Sequence, residues 1–444
     1  MKKAYIIGIG GIGASAVAKY LLHRGWQVEG SDMSKSEITE NLEKIGVKVK
    51  IPQKKENVPE DVDLIIKNPA ITEKNVELQR ALEIQKKKNI KIKNWQEVLS
   101  DVSKEKFTLA VCGTHGKSTT TSMLSIMMVK TKLDPTCIIG TNIKEFGNTN
   151  FRSGKSNYFV IEADEYEGNF LNYWPNVVIL TSIDKDHLDY FKNLRNIFSN
   201  FEKFILKLPK NGVLICNKDS ENVMKLANRI KKKRKDIKII YYSLKDKDSK
   251  KIKKVLKVPG SHNVSNALAV FKVGKVLGLK EKDILKSLSV FKGVWRRFDI
   301  RKINSKNFGK ITIVHDYAHN PQKVKAAIQG VFEKWPNKRI WIVFQPHQRQ
   351  RTYYLFNDFI KALKEVENLI LTEIYDVPGR EVDKISAHIS SKHLYEKLKK
   401  YTDKIWFVKD YKDVPKFLKD KFNKKSDIIL IMGAGDIYEL EKYL

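Results

Sequence analysis

Cysteine is nearly absent: the 444-residue chain has three, Cys112, Cys137 and Cys216. Their wide separation gives neither a disulfide framework nor a zinc-ligand spacing, and a reduced, cytoplasmic setting is expected. Long apolar runs are missing as well. None approaches the roughly 20 residues that cross a bilayer, so no membrane partner is expected. Lys2-Lys3, the apolar run from Ala4, and Ala14-Ser15-Ala16 loosely imitate a secretory signal. Gly8, Gly10, Gly11 and Gly13 interrupt that run, as a glycine-rich turn between strand and helix would. Acidic residues are in deficit, 51 against 84 basic ones, for a net charge of +33. Such a surface attracts polyanionic small substrates. The densest basic run, Lys231-Lys232-Lys233-Arg234-Lys235, invites a nucleic-acid reading. It has no interleaved aromatic residue, however, and Leu226 and Ile230 mark the other side of a helix, so a solvated face is expected and no nucleic-acid partner. Internal repeats and low-complexity linkers are also lacking. The length still exceeds one ordinary core, and two to four domains are expected.

What is present is concentrated in Phe107 to Ser122, FTLAVCGTHGKSTTTS. Phe107 to Cys112 has the composition of a buried strand, and a helix-like stretch with Met123, Leu124, Ile126 and Met127 follows the turn. Strand, glycine turn, Lys-Ser and helix make a phosphate cradle. Backbone N–H groups and the positive helix end face an anion, Lys117 adds a point charge, and the Ser118 hydroxyl can hold Mg²⁺. Val111 stands where the strict Walker pattern has glycine, so the match is to the shorter G-x-x-G-K-S form.

A second glycine turn opens the chain. Ala4 to Ile7 is a predicted strand, Gly8-Ile9-Gly10-Gly11-Ile12-Gly13 is G-x-G-x-x-G, Ala14 to Leu22 is a predicted helix, and Gln27 to Gly30 leads to Ser31-Asp32. This is a dinucleotide fingerprint, in which glycines admit a pyrophosphate and an acid meets ribose hydroxyls. Alone it suggests an NAD-dependent oxidoreductase; a second nucleotide loop downstream argues against a simple dehydrogenase. Further acids stand at predicted strand ends, in Glu162-Ala163-Asp164-Glu165 and Asp184-Lys185-Asp186-His187-Leu188-Asp189, where ligands of open parallel sheets bind. They can ligate Mg²⁺ or Mn²⁺, or be solvated loop charges. Asn263 and Asn266 are three apart and share a helix face, so they can contact a nucleotide, although Asn263 can equally be a helix cap. Of Arg296 and Arg297, the second is the expected phosphate ligand and the first is expected to face solvent. Strands are predicted at Ile311 to Val314, Ile340 to Phe344 and Ile428 to Met432.

GTHGKSTTT, EADE, DHLD, PGSHNVSNA, WRRF, DYAH and FQPH, in that order, resemble the motifs of the Mur peptide ligases, which build the peptide stem of peptidoglycan. The resemblance implies three α/β domains: a Rossmann-like UDP-binding domain (1–102), a central P-loop ATPase domain with a parallel sheet (103–296) and a C-terminal Rossmann-like amino-acid domain (297–444). It implies ATP-dependent ligation of L-alanine to UDP-N-acetylmuramate through an acyl phosphate, with a murein-tripeptide recycling ligase as the alternative. By resemblance Gly113, Thr114, His115, Gly116, Lys117, Ser118, Thr119, Asn263, Asn266, Arg297 and Asp316 bind ATP. Gly8, Gly10, Gly11, Gly13, Ser31 and Asp32 bind the UDP substrate, while Tyr317, His319, His347 and Arg351 line the amino acid. Ser118, Glu162 and His187 are the implied ligands of Mg²⁺ or Mn²⁺; Lys117, Glu162, His187, Arg297 and His319 are the implied catalytic set, His319 as acceptor of the amine proton. The C-terminal domain is expected to close over ATP, and the chain to be a monomer or homodimer. The sequence departs from the family pattern at Tyr166-Glu167, at Asn320 in place of a histidine, and at Gln348 in place of an arginine.

Overall fold

The computed structural model describes residues 1–186, 188–376 and 386–444, leaving the side chains of residues 188 and 189 aside. The chain divides into two compact units, Met1–Lys292 and Gly293–Leu444. The first holds two sheets. Strands β1 (Lys3–Ile7), β2 (Gln27–Ser31), β3 (Lys48–Lys50), β4 (Leu64–Lys67) and β5 (Lys91–Asn94) are all parallel, in the order β3-β2-β1-β4-β5. This is the Rossmann-like arrangement, with the glycine turn between β1 and the helix Ile12–His23.

The second sheet is built from β6 (Phe107–Cys112), β7 (Thr136–Ile143), β8 (Thr149–Arg152), β9 (Tyr158–Glu162), β10 (Val177–Leu180), β11 (Val213–Asn217) and β12 (Lys238–Tyr242). Its order is β12-β11-β10-β6-β9-β7-β8, parallel except for the edge strand β8. Central strands buried on both faces must be apolar throughout, and VVIL in β10 is buried at every position. Helices Lys117–Lys130 and Ser261–Val276 cover one face. Lys117–Lys130 carries buried hydroxyls that would otherwise lack partners. Thr121 and Ser122 satisfy theirs by donating to the carbonyls of Lys117 (2.8 Å) and Ser118 (2.7 Å), four residues back.

The two sheets share one core, in which Ala16, Val17, Leu99 and Val102 join Phe170, Phe201 and Phe204. Asn150, fully buried, fastens the first helix to β8: its Nδ2 donates to the Ile12 carbonyl at 2.5 Å, and its Oδ1 accepts from Lys19 Nζ at 2.8 Å. The predicted junction at 102/103 falls inside the helix Trp95–Glu105, whose apolar residues belong to this common core.

The second unit holds β13 (Asp299–Ser305), β14 (Gly309–Asp316), β15 (Arg339–Phe344), β16 (Leu369–Leu371), β17 (Ile405–Phe407) and β18 (Asp427–Met432). They run in the order β13-β14-β18-β15-β16-β17, parallel apart from the β13–β14 hairpin. Among the described residues no helix is long and apolar enough to cross a membrane. Phe170 is 0% exposed, stacked on Phe204 at 4.6 Å and edge-on to Phe201 at 5.2 Å. Phe170→Ala is expected to cost about 3–5 kcal/mol of stability, read from denaturant unfolding of the full chain.

Candidate active site

Strand β6 delivers the chain to Gly113 (φ 133°) and Gly116 (φ 82°), both in the left-handed region that L side chains avoid. Space is closed to a side chain as well: a Cβ on Gly116 would lie 2.5 Å from Asn266 Oδ1. Gly116 occupies the cap position of Lys117–Lys130 and no side chain caps that end. The first N–H groups of the helix are therefore available to an anion. The residues after β10 splint the loop from below. The Thr114 N–H donates to the Ser182 carbonyl (3.1 Å), the His115 N–H to Ser182 Oγ (2.8 Å), and the Asp184 N–H to Thr114 Oγ1 (2.9 Å). Thr119 is half-buried in the first helical turn.

Lys117 Nζ donates to the Gly113 carbonyl at 2.8 Å and to Glu165 Oε2 at 2.7 Å, with Asp164 Oδ1 at 3.4 Å. Burial opposes its charge, but Glu165 and Asp164 outweigh burial and hold its pKa above the ordinary lysine value. Glu165 is 2% exposed, and burial pushes its carboxyl up to about 7 against the pull of Lys117. Glu162 is placed with equal care. Its Oε1 accepts from Ser118 Oγ (2.8 Å) and its Oε2 from the Gly140 N–H (2.7 Å), where a Cβ would come within 2.5 Å of the carboxyl. Burial raises the Glu162 pKa, opposed by Lys117 and by the Ser118 hydrogen bond. A hydroxyl and a carboxylate oxygen this close are hard donors that fit Mg²⁺. Among the described residues no group of three His, Cys, Asp or Glu side chains forms a metal cluster. His187 lies outside the described residues.

Asn263 and Asn266 are both buried on Ser261–Val276. The cap alternative fails for Asn263: Gly260 is the cap, and Asn263 Nδ2 donates back to the Pro259 carbonyl at 2.5 Å. Asn266 is the one whose amide abuts the phosphate loop.

At the first glycine turn, Gly8 has φ 77°, and the N–H groups of Gly8 and Ile9 both donate to the Ser31 carbonyl at 2.9 Å. Asp32 Oδ2 accepts from the Gly10 N–H and Oδ1 from that of Met33, each at 2.8 Å. Gly11 lies against the Asn68 amide and Gly13 against the Trp95 ring. The Ser31 hydroxyl is turned the other way. It is fully buried and hydrogen-bonded to Glu77, whose Oε1 also accepts from the Lys54 N–H (3.0 Å) and Asn57 Nδ2 (2.9 Å). Only its backbone carbonyl takes part in the turn.

In the second unit, the Asp316 carboxylate accepts the N–H groups of Phe298 (2.8 Å) and Ala318 (2.9 Å), and burial raises its pKa against the opposing charge of Arg297. The Arg297 N–H donates to the Val294 carbonyl at 3.0 Å, while among the described residues its guanidinium makes no hydrogen bond or ion pair and lies 4.9 Å from the Tyr317 ring centroid. Arg296 was expected to face solvent and does the opposite. It is 6% exposed, with Nη2 donating to the carbonyls of Gly433 (2.6 Å) and Gly435 (2.8 Å).

Tyr317, His319, His347 and Arg351 are neighbours. Ring centroids are 5.2 Å apart for Tyr317 and His319 and 6.0 Å for His319 and His347, and Arg351 Nη1 donates to His347 Nδ1 at 3.1 Å. Tyr375 stacks on His347 at 5.6 Å. The Tyr317 carbonyl can only accept, so His319 Nδ1 carries the proton in their 2.8 Å contact and Nε2 keeps its lone pair. Asn320 caps the helix Pro321–Lys334 through the Lys323 N–H (3.0 Å), and Arg349 is committed to Asp376 at 2.7 Å.

A glycine turn with a charged lysine at an uncapped helix N-terminus, on a parallel sheet that shares its core with a Rossmann-like sheet, defines an enzyme that works on a nucleoside triphosphate. The chain belongs to the Mur ligase family: residues 3–107 match the family's catalytic domain, 111–274 the Mur ligase middle domain and 296–435 the Mur ligase glutamate ligase domain. It is similar to UDP-N-acetylmuramate–L-alanine ligases of Clostridium tetani (39% identity, 99% of this chain and 97% of the relative) and Clostridium kluyveri (37%, 100% and 98%). Among solved structures it resembles the UDP-N-acetylmuramate–alanine ligase of Thermotoga maritima (28% identity, TM-score 0.81, 100% of this chain and 98% of that one). It shares the fold of a murein peptide ligase from Psychrobacter arcticus (19%, TM-score 0.71, 100% and 98%).

Burial and the positive charges of Lys323 and Arg351 hold the His319 pKa well below its ordinary value of 6.5. The unfolded chain therefore binds a proton that the folded one refuses, and stability falls as pH drops below 6.5. His319→Gln is expected to remove up to about 2 kcal/mol of the loss between roughly pH 6.5 and 5. Urea midpoints of both proteins across that range measure it.

Proposed function

We propose that this chain joins L-alanine to UDP-N-acetylmuramate at the expense of ATP, releasing ADP and phosphate, as a step in peptidoglycan precursor synthesis in the cytoplasm. The observation that carries the proposal is the Lys117 ammonium, held charged between Gly113 and Glu165 at an uncapped helix N-terminus. The full-length similarity to alanine ligases supports the choice of substrates. In this reading residues 1–102 take the UDP moiety on Gly8, Gly10, Gly11, Gly13 and Asp32. Residues 103–296 take ATP on Gly113 to Thr119 and Asn266, and residues 297–444 take alanine on Tyr317, His319, His347 and Arg351.

The substrate carboxylate attacks the γ-phosphorus of ATP, and the two anions repel. Lys117 and Arg297 are assigned the neutralisation of that charge, which is the main task in phosphoryl transfer. Ser118 and Glu162, with His187, are the residues that would hold Mg²⁺, which supplies further charge neutralisation when bound. The acyl phosphate then meets the neutral amine of alanine, and the tetrahedral adduct expels phosphate. An ammonium has no lone pair, so a proton must leave first. His319 Nε2 is the assigned acceptor, its tautomer fixed by the Tyr317 carbonyl.

The test is phosphate release from ATP with UDP-N-acetylmuramate, across an amino-acid panel that includes the murein tripeptide. Alanine is expected to give the highest kcat/KM; a tripeptide preference would move the chain to the recycling ligases. Lys117→Ala is expected to lower turnover by about 10²- to 10³-fold or more in a chain that stays folded by circular dichroism. Near-normal turnover in that variant would remove the loop from the mechanism.

A further inference from the structure

The buried guanidinium of Arg296 has no role in the scheme above. Among the described residues it forms no ion pair, although a buried charge without a counter-charge is costly. Its partners are of another kind. Nη2 donates to the Gly433 and Gly435 carbonyls, at the turn that ends β18, and Cζ lies 4.4 Å from the Tyr438 ring, 4.9 Å from Tyr317 and 5.4 Å from Trp295. Carbonyl dipoles and aromatic faces thus take the place of a carboxylate, and the planar fork of arginine suits both. The backbone is equally committed. Arg296 has φ 56°, and its own carbonyl accepts the Tyr317 N–H at 2.6 Å. One strand over, the Gly433 N–H donates to the Asp316 carbonyl at 3.1 Å.

Arg296 therefore ties together three segments that sequence separates: its own stretch before β13, the Asp316-Tyr317 loop after β14, and the glycine turn after β18. The Tyr317 ring is the common element. It lies 4.9 Å from each of the two guanidinium carbons, Arg296 and Arg297, and stands edge-on to His319 at 5.2 Å. We propose that Arg296 is a positioning residue for the amino-acid half of the reaction: by clamping the Tyr317 ring and the Gly433–Gly435 turn it sets the places of Tyr317 and His319, without touching substrate itself. This rests on the ligase reading above.

The test uses the full chain with Arg296→Lys, which keeps the charge but not the fork or the plane, and Arg296→Met, which leaves no lone charge if the lysine variant folds poorly. Small displacements of positioned groups cost about 10²-fold in rate, so kcat/KM for alanine is expected to fall by about that factor in both variants. Affinity for a fluorescent ADP analogue, which lacks the γ-phosphate assigned to Arg297, is expected to stay within about twofold when measured without alanine, since Lys117 and its loop lie in the other compact unit. Hydrogen exchange at the Tyr317 and Gly433 amides is expected to accelerate at least about tenfold in both. Unchanged kcat/KM for alanine, or a matching loss of nucleotide affinity, overturns the proposal. Unchanged exchange at both amides overturns it whatever the turnover. A wild-type chain with no alanine-dependent phosphate release sinks the ligase reading instead, and the exchange measurement then still decides whether Arg296 is the clamp.

Discussion

A lysine ammonium kept charged inside the protein is the constraint around which the first unit is arranged. Lys117 is nearly enclosed, and enclosure alone would drive off its proton. Glu165, Asp164 and the Gly113 carbonyl prevent that. The same contacts satisfy the amine while no phosphate is there. In the proposed reaction a triphosphate replaces one set of anionic oxygens by another, so the cation is never left alone. The strand ends of the parallel sheet make this possible. β6, β9 and β10 are neighbours, and the loops after them supply the glycine turn, the acids Glu162 to Glu165, and the Thr181–Asp184 splint.

The second unit solves the inverse problem. Arg296, buried, and Asp316, half-buried, are charges of opposite sign, yet no direct ion pair joins them. Asp316 is paid in backbone N–H groups and Arg296 in backbone carbonyls and ring faces. Each fixes main chain, and the loops so fixed carry Tyr317, His319 and Arg297. His319 is kept neutral by burial first and by Lys323, Arg351 and His347 beside it, and the neutral imidazole is the form that can take a proton from an amine.

Much of the fold was legible because strands buried on both faces must be written in apolar residues. Tyr158 to Glu162 and Ile428 to Met432 show this plainly. The β10 strand ends at Leu180, and Ser182 just beyond it accepts the His115 N–H of the glycine turn, a choice that an apolar run cannot record. Lys117, Ser118 and the glycines announced themselves through spacing. Arg296 did not. Its carbonyl partners stand 137 and 139 residues away and carry no side-chain signature, so the default for an arginine, exposure, was the natural inference. Glu165 lay within a recognised motif, but its bond to Lys117 depends on where β9 ends relative to β6. Ser31 belongs to the expected ligand contacts, but its hydroxyl is engaged by Glu77, 46 residues on, which spacing does not reveal. Asn320, by contrast, had a readable signal: Asn before Pro is a cap followed by the first helical residue.

The most direct measurement is a crystal structure of the chain with magnesium and a non-hydrolysable ATP analogue. The account predicts the γ-phosphate on Lys117, with the ammonium drawn away from Glu165 and the helix N-terminus on the phosphate oxygens. A nucleotide bound elsewhere, with Lys117 still on Glu165 and the glycine turn vacant, would contradict it.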